Sequence, residues 1–426
     1  MTKRHSDGNR QPMEPMLSVE EAQKRVLSAF KPLEAERVPI LEAIGRILAE
    51  SVHADTDIPP HANSSMDGYA VRAIDTAGAS RQSPAALRVI GDLPAGYVAD
   101  QAVAAGTAIR IMTGAPLPPG ADAVVKVEDT EAEGDSVLIF AEVEPGNYVR
   151  PPGEDVRQGE RVLERGARLR PQEIGMLAAV GYDHVVVTRK PRVAVLATGD
   201  ELVPVGEPLA PGKIRNTNSY SNAAQILEYG GEPILLGIAR DTADELTASI
   251  EAGLRQNVDL FLTSGGVSVG DFDLVKDVLA AEGEMGFWRV RMKPGKPLAF
   301  GQIQGVPILG LPGNPVSVMV SFEMFVRPAL LKMLGARDWR RPTVQAVLMG
   351  EIAHKDERRH FVRVRLAWEG GEYHAYLTGA QGSGILSSMV KANALAILPE
   401  QWDHAPAGAR VHAMVLDQES PVSAGW

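Results

Sequence analysis

The stretch DLFLTSGGVSVGDFD, residues 259–273, decides how the chain is read. An apolar run of the kind that forms a buried strand (259–263) ends in a glycine-rich loop. A helical pattern then runs from Asp271 to Ala281. Strand, glycine loop and helix in that order make one unit of a parallel α/β sheet. Such a loop offers backbone N–H groups that suit phosphate. Yet Asp271 and Asp273 follow at once, and carboxylates repel phosphate.

The same grammar extends on both sides. VAVLA (193–197), PILLGI (233–238) and VPILGL (306–311) are near-continuous apolar runs, as in strands buried on both faces. Helical patterns separate them at about 219–229, at 241–254 and, as one long helix, at 316–334. Short runs near 287–291 and 297–301 form a hairpin. Strands alternating with helices predict a central doubly wound α/β domain over residues 189–335. Before it, a region over 16–188 opens with Ser18 and Glu21, a capping box for a helix through about Phe30. A second short helix is expected around Leu41–Ala49, and another starts at Pro171. The segment DIPPHANSSMDGYAV (57–71) follows neither periodicity. Within about 87–150, short apolar runs alternate with glycine- and proline-rich turns, which predicts an inserted β subdomain. Residues 341–418 read the same way and form a separate β domain. Residues 1–15 read as a disordered tail.

Composition removes several functions. The 426 residues carry 43 lysines and arginines against 54 aspartates and glutamates, a net charge of −11. That balance argues against a general nucleic-acid binder or an anionic-membrane binder. There is no cysteine, which rules out disulfides, thiolate catalysis and cysteine-held metal, and fits a cytoplasmic protein. No apolar stretch approaches the roughly 18 residues needed to span a bilayer, and the first residues lack the apolar core of a signal peptide. The nine histidines are scattered, with no HExxH pairing, and no GxSxG or P-loop occurs.

In an open parallel sheet, ligands bind beyond the carboxyl ends of the strands. Four strand ends can be read directly: Thr198-Gly199-Asp200-Glu201, Arg240-Asp241, Ser264-Gly265-Gly266, and Pro312-Gly313-Asn314-Pro315. Taken singly, each has a plain structural explanation. A Gly-Gly pair is an ordinary turn, and Asp271 is placed to cap the next helix. Jointly, acids at several strand ends are what a hard divalent cation such as Mg2+ takes as ligands. RMKPGKPLAFG (291–301) adds Lys293 and Lys296 on a proline-stiffened turn, with Arg289 just upstream. It reads either as a solvated hairpin or as an anion clamp.

NSSMDGYAV, MTGAPLPPGADAVV, PPGEDVRQG, LATGDELV, IRNTNS, LTSGGVSVGDFD, MKPGKPLAFG, LGLPGNPVS and GAQGSGILSSM occur in this order. With these motifs, from about Leu17 to Leu416, the chain resembles the molybdopterin molybdenumtransferase family, which includes the carboxy-terminal domain of gephyrin. The central domain is shared with molybdopterin adenylyltransferases. The resemblance implies a multidomain α/β plus β fold: a molybdopterin-binding centre, an N-terminal linker region with an inserted β domain, and a β-barrel-like C-terminal domain. It implies a homodimer with its site in a cleft formed by both subunits. The implied reaction converts adenylylated molybdopterin and molybdate to molybdenum cofactor and releases AMP, with a divalent cation involved.

Carried over residue by residue, the resemblance implies catalytic roles for Asp67, Thr113, Asp155, Glu201, Asp241 and Asp273. Of these, Glu201, Asp241 and Asp273 are the expected metal ligands, taken as Mg2+. The expected substrate contacts are Ser264, Gly265, Gly266, Arg289, Lys293, Lys296, Pro312, Gly313, Asn314, Pro315, Arg363 and Ser383. Arg363 and Ser383 suit an oxyanion such as molybdate. The family often has lysine where Arg289 stands, so the charge is kept but the donor geometry changes. Asp271 is left as the helix cap. A molybdopterin adenylyltransferase and proteins that mature downstream molybdoenzymes are the further partners implied. Two other activities stay open on sequence: an adenylyltransferase that makes the adenylylated pterin, and a non-catalytic dimeric scaffold.

Overall fold

The computed structural model describes residues 16–265, 283–353 and 356–417. The expected tail of residues 1–15 and the expected helix from Asp271 to Ala281 lie outside them. The described chain divides into two compact units. Arg37–Val187 forms one, and the residues flanking that span form the other.

The flanking unit is built on a six-stranded sheet. Its order is Glu232–Ala239, Arg192–Thr198, Leu260–Ser264, Val306–Leu311, Pro297–Ile303, Gly283–Arg289. The first four strands run parallel. Pro297–Ile303 is antiparallel to both its neighbours, which gives the expected hairpin. Val193, Val195, Leu260, Leu262 and Leu309 face one way, beneath the helices Val19–Ser28 and Pro315–Ser321. Ala194, Leu196, Phe261 and Ile308 face the other way, beneath Ala243–Leu254. Helices therefore cover both faces, so the sheet is doubly wound, and burying each large aliphatic side chain contributes about 1.5–3 kcal/mol. The first helix carries its capping box: Glu21 N–H donates to Ser18 Oγ at 3.1 Å, and Ser18 N–H to Glu21 Oε2 at 2.8 Å.

One helix departs from expectation. The stretch read as continuous from 316 to 334 is Pro315–Ser321, a π-helical turn Phe322–Val326, and Arg327–Met333. Pro328 has no N–H to donate and its ring crowds the carbonyl of Met324, so the wider turn absorbs it. The freed Met324 carbonyl accepts from Gln23 Nε2 at 2.8 Å.

The C-terminal strands close into a five-stranded barrel in the order Arg359–Glu369, Glu372–Leu377, Thr343–Leu348, Arg410–Val415, Ala394–Leu398 and back to Arg359–Glu369. Leu348, Val364, Leu366, Ala396 and Leu398 fill it. Two devices join barrel and sheet domain. The short strand Met292–Lys293 pairs in parallel with Arg359–His360. Glu323, in the π-turn, takes ion pairs from Arg327 at 3.1 Å and from Arg341, just before the barrel, at 3.0 Å.

In the Arg37–Val187 unit, six strands order as Ala123–Lys126, Gly68–Val71, Thr107–Ile111, Ala85–Leu93, Ser136–Ile139, Thr130–Glu133. Two expectations are corrected here. Residues 57–71 looked irregular throughout, but Gly68–Val71 is an interior strand buried along its length. Glycine opens it because any Cβ at position 68 would sit 1.9 Å from the Val125 carbonyl oxygen. The expected helix at 41–49 is only a 3-10 turn, Ile40–Ala43. Gly45 turns left-handed at φ +77, and Ile47 and Leu48 then bridge to Arg168 and Val187 as β-partners. Leu41, which a helix would have buried, is 78 % exposed. The helix Pro171–Ala179 forms as expected. Among the described residues, no helix is long and apolar enough to cross a membrane.

Candidate functional site

The four parallel strands deliver their carboxyl ends to one edge of the sheet. Thr198-Gly199-Asp200-Glu201 and Arg240-Asp241 meet there: Asp200 N–H donates to Asp241 Oδ2 at 3.3 Å, and Asp241 N–H to Asp200 Oδ1 at 3.4 Å. Glu201 lies beside them, its carboxylate folded over Gly199, where a Cβ would come within 2.5 Å of Oε2. Thr242, not Asp241, caps the following helix through its side chain, so Asp241 stays free of the helix and exposed. Lys213 Nζ donates to the Asp200 carbonyl. A cavity of about 980 Å³ opens here between Asp200, Lys213, Asn216, Tyr220, Arg240 and Glu245. Carboxylates from two adjacent strand ends are the right donor type for a hard cation. Among the described residues no three His, Asp or Glu side chains form a complete metal-holding group. Asp273, the third expected ligand, lies outside the described residues, as do Gly266 and Asp271.

The next two strand ends touch. Ser264 pairs with Leu311, and a Cβ on Gly313 would lie 3.8 Å from the Gly265 Cα. Gly265 is at φ +94, and a Cβ there would meet the Thr198 carbonyl oxygen at 2.4 Å. Only glycine allows that approach. Asn218, which starts the helix Asn218–Glu228, holds the Pro312–Pro315 loop by donating from Nδ2 to the Gly313 carbonyl at 2.7 Å.

A second cavity, of about 460 Å³, lies between this loop, the Lys293–Lys296 turn and the barrel. Lys293, Lys296, Asn314, Ser317, Arg358 and Ser383 are among its walls. Ser383 is tied in by its carbonyl, which accepts from Val316 N–H at 3.0 Å. Behind the wall stands Arg363, 2 % exposed. Its Nε donates to Ser388 Oγ at 3.0 Å and its Nη2 to the Gly382 carbonyl at 3.0 Å. Among the described residues no carboxylate pairs with it, and burial pushes its pKa down to about 10. Gln381 fixes the backbone of Arg363 from both sides, accepting from its N–H at 2.9 Å and donating to its carbonyl at 3.1 Å. Lys293 is different: Asp356 lies 3.1 Å from its ammonium.

Arg289 sits on the edge strand Gly283–Arg289, and its carbonyl accepts from Leu17 N–H at 2.9 Å. It does not line the cavity of Lys293 and Lys296. In the Arg37–Val187 unit, Asp67 and Thr113 come together. Asp67 Oδ1 accepts from both Thr113 N–H and Thr113 Oγ1 at 2.7 Å. The backbone bond, then the hydroxyl, lowers the carboxyl below its ordinary value. Asp155 is exposed on a separate loop held by its N–H to the Ile58 carbonyl at 3.0 Å. Sequence reasoning missed Asp356 and Arg358. Their signal was the charged run DERRH (356–360) just ahead of the buried strand residues around Arg363.

Three family models match in sequence. They are the MoeA N-terminal region (domain I and II) over residues 17–181, the probable molybdopterin binding domain over 194–332, and the MoeA C-terminal region (domain IV) over 345–416. Molybdopterin molybdenumtransferase 2 of Mycobacterium tuberculosis is 39% identical over 407 residues, covering 94% of this chain and 100% of that protein. Molybdopterin molybdenumtransferase of Bacillus subtilis is 36% identical, covering 96% of each. A crystal structure of the molybdopterin biosynthesis moeA protein from Pyrococcus horikoshii OT3 superposes with a TM-score of 0.81 at 35% identity, covering 94% of this chain and 100% of that one.

Proposed function

Since the chain belongs to the molybdopterin molybdenumtransferase family, we propose that it inserts molybdate into adenylylated molybdopterin, cleaving the phosphoanhydride and releasing AMP to leave molybdenum cofactor. The observation that carries this reading is Arg363. A buried cation without a carboxylate partner among the described residues is costly in a folded protein. It is retained with its guanidinium held by Ser388 and Gly382 just behind the wall of a cleft that presents Lys293, Lys296, Arg358 and Ser383. Fixed donors and cations around a small cavity suit a tetrahedral dianion.

The proposed division of labour uses both cavities. The strand-end loops at Ser264-Gly265-Gly266 and Pro312-Gly313-Asn314-Pro315 are assigned to the pterin and its phosphates, with the backbone N–H groups of Gly313 and Asn314 as donors. Lys296, Arg363 and Ser383 are assigned to molybdate. Glu201 and Asp241, with Asp273, would hold a divalent cation, taken as Mg2+. When bound, it would draw charge from the phosphoanhydride oxygens. The chain's own part is to orient the anhydride along the sheet edge and to place the oxyanion at the barrel wall, so that both reactants meet in one region. Within the Arg37–Val187 unit, Asp67, Thr113 and Asp155 are also assigned catalytic roles. We further assign the reaction to a cytoplasmic homodimer.

The test is direct. The full chain is given adenylylated molybdopterin, molybdate and Mg2+, and AMP is followed. AMP release that depends on molybdate supports the reading; none above a protein-free control overturns it. Consumption of ATP with unmodified molybdopterin would assign an adenylyltransferase instead.

A further inference from the structure

Beside the cleft, one carboxylate gathers three cationic or protonatable partners. Asp356 Oδ2 takes Arg358 Nη2 at 2.6 Å and Lys293 Nζ at 3.1 Å, and its Oδ1 takes His360 Nε2 at 2.8 Å. Burial would raise this carboxyl, but the bonds from Arg358, His360 and Lys293 override it and hold the group far below the usual carboxylate range. Lys293 and Arg358 both line the cleft. His360 does not, and it is buried in the barrel strand Arg359–Glu369. The two oxygens are thus divided: Oδ1 is anchored from behind, and Oδ2 faces the cations of the cleft. The arrangement is fixed by backbone register, because Lys293 is paired directly opposite His360. Among the described residues the other two cations of the cleft region, Lys296 and Arg363, have no carboxylate partner. Two of the four cations therefore share a single carboxylate and the other two have none.

We propose that Asp356 is the internal counter-ion of the cleft: it holds Lys293 and Arg358 until an oxyanion arrives, and an entering anion competes with it for them. This rests on the reading of the cleft as an oxyanion site. Its consequence is to temper affinity, so that the cleft is neither filled by any passing anion nor slow to release one. Because His360 keeps Oδ1 in place, the carboxylate stays at the rim when the cations turn to the ligand. It then repels that ligand in proportion to the ligand's charge.

The charge dependence gives the test. Asp356→Asn keeps shape and an acceptor but removes the charge; Asp356→Ser is the second variant, against failure of the first to fold. Each full-length protein is titrated calorimetrically with molybdate, a dianion, and with perrhenate, a monoanion of the same tetrahedral shape. Molybdate is expected to bind about three- to tenfold more tightly to the variants than to the wild type, as one charge removed at a partly screened site implies. Perrhenate should gain less. Unchanged or weaker molybdate binding, or equal gains for both anions, overturns the counter-ion role while leaving the cleft an anion site. If wild type and variants bind neither molybdate nor pyrophosphate, the anion reading of the cleft fails and this role fails with it.

Discussion

Replacing Arg363 with methionine separates a residue kept for a ligand from one kept for the fold. Burial alone pushes its pKa down to about 10. At about 1.36 kcal/mol for each tenfold, the gap from the ordinary arginine value is a penalty of about 3 kcal/mol on the charged form. Against it stand two charge-assisted hydrogen bonds, each worth about 1.5–3 kcal/mol. Methionine relieves the penalty and loses both bonds. Ser388 Oγ keeps its bond to the Ile385 carbonyl at 2.6 Å, and Gly382 is exposed, so water can replace the guanidinium there. The unliganded Arg363→Met variant should therefore lie within about 2 kcal/mol of wild type, where breaking a paired buried arginine costs about 3–5 kcal/mol. Below pH 10 both folded and unfolded chains hold the proton, so the penalty is constant through neutral pH. It is relieved only as pH rises from about 10 towards the ordinary arginine value, where the folded chain releases its proton first. The ligand response should differ sharply. At one hundred times its dissociation constant, molybdate stabilises wild type by about 2.7 kcal/mol, and the variant should gain nothing. Urea unfolding with and without molybdate reads both quantities. A loss of 3 kcal/mol or more without anion, or molybdate stabilisation preserved in the variant, refutes the reasoning.

Three further outcomes follow from the packing. Gly265→Ala forces a Cβ to within 2.4 Å of the Thr198 carbonyl at φ +94; backbone strain alone should cost about 1–3 kcal/mol, measured by urea unfolding, and wild-type stability would contradict the geometry. Glu323→Leu leaves Arg327 and Arg341 buried without their carboxylate, with an expected loss of about 3–5 kcal/mol in the same assay. Thr113→Val removes the hydroxyl donor to Asp67, so the carboxyl should titrate closer to its ordinary value by carbon-13 NMR. Because the folded pKa is depressed, its stabilising effect is present above the unfolded value and lost as pH falls through the folded one. The variant should lose that effect at a higher pH, and an unmoved titration would refute the pairing.

How much was legible depended on where each residue's reason lay. The four parallel strands were readable because burial on both faces leaves a continuous apolar run, and their ends then named Glu201, Asp241, Gly265 and Gly313. The helix start at Ser18 was readable because a capping box is local. Gly68–Val71 was not, because its reason is the Val125 carbonyl on a strand more than fifty residues away. Likewise Leu41–Ala49 has helical spacing, but Gly45 and the bridges of Ile47 and Leu48 use its backbone elsewhere. Pro328 is a break signal in the long helix that the reading passed over; what sequence could not show was Gln23, which satisfies the carbonyl that the proline frees.

The barrel's part in the cleft depends on register more than on composition. A sheet edge supplies N–H donors and carboxylates, but the cations that line the second cavity come from two segments of the chain held side by side. Met292–Lys293 pairs with Arg359–His360, and four residues further along the same barrel strand stands Arg363. Met292 is buried and Lys293 exposed, so a slip of one residue would bury the lysine and turn the methionine to the cleft. Met292 packs in the core shared by the sheet domain and Phe361 of the barrel, which makes that slip expensive. The apolar residue therefore fixes where its charged neighbour points. The short two-residue strand brings Lys293 beside Asp356 and Arg358, although more than sixty residues of sequence separate it from them.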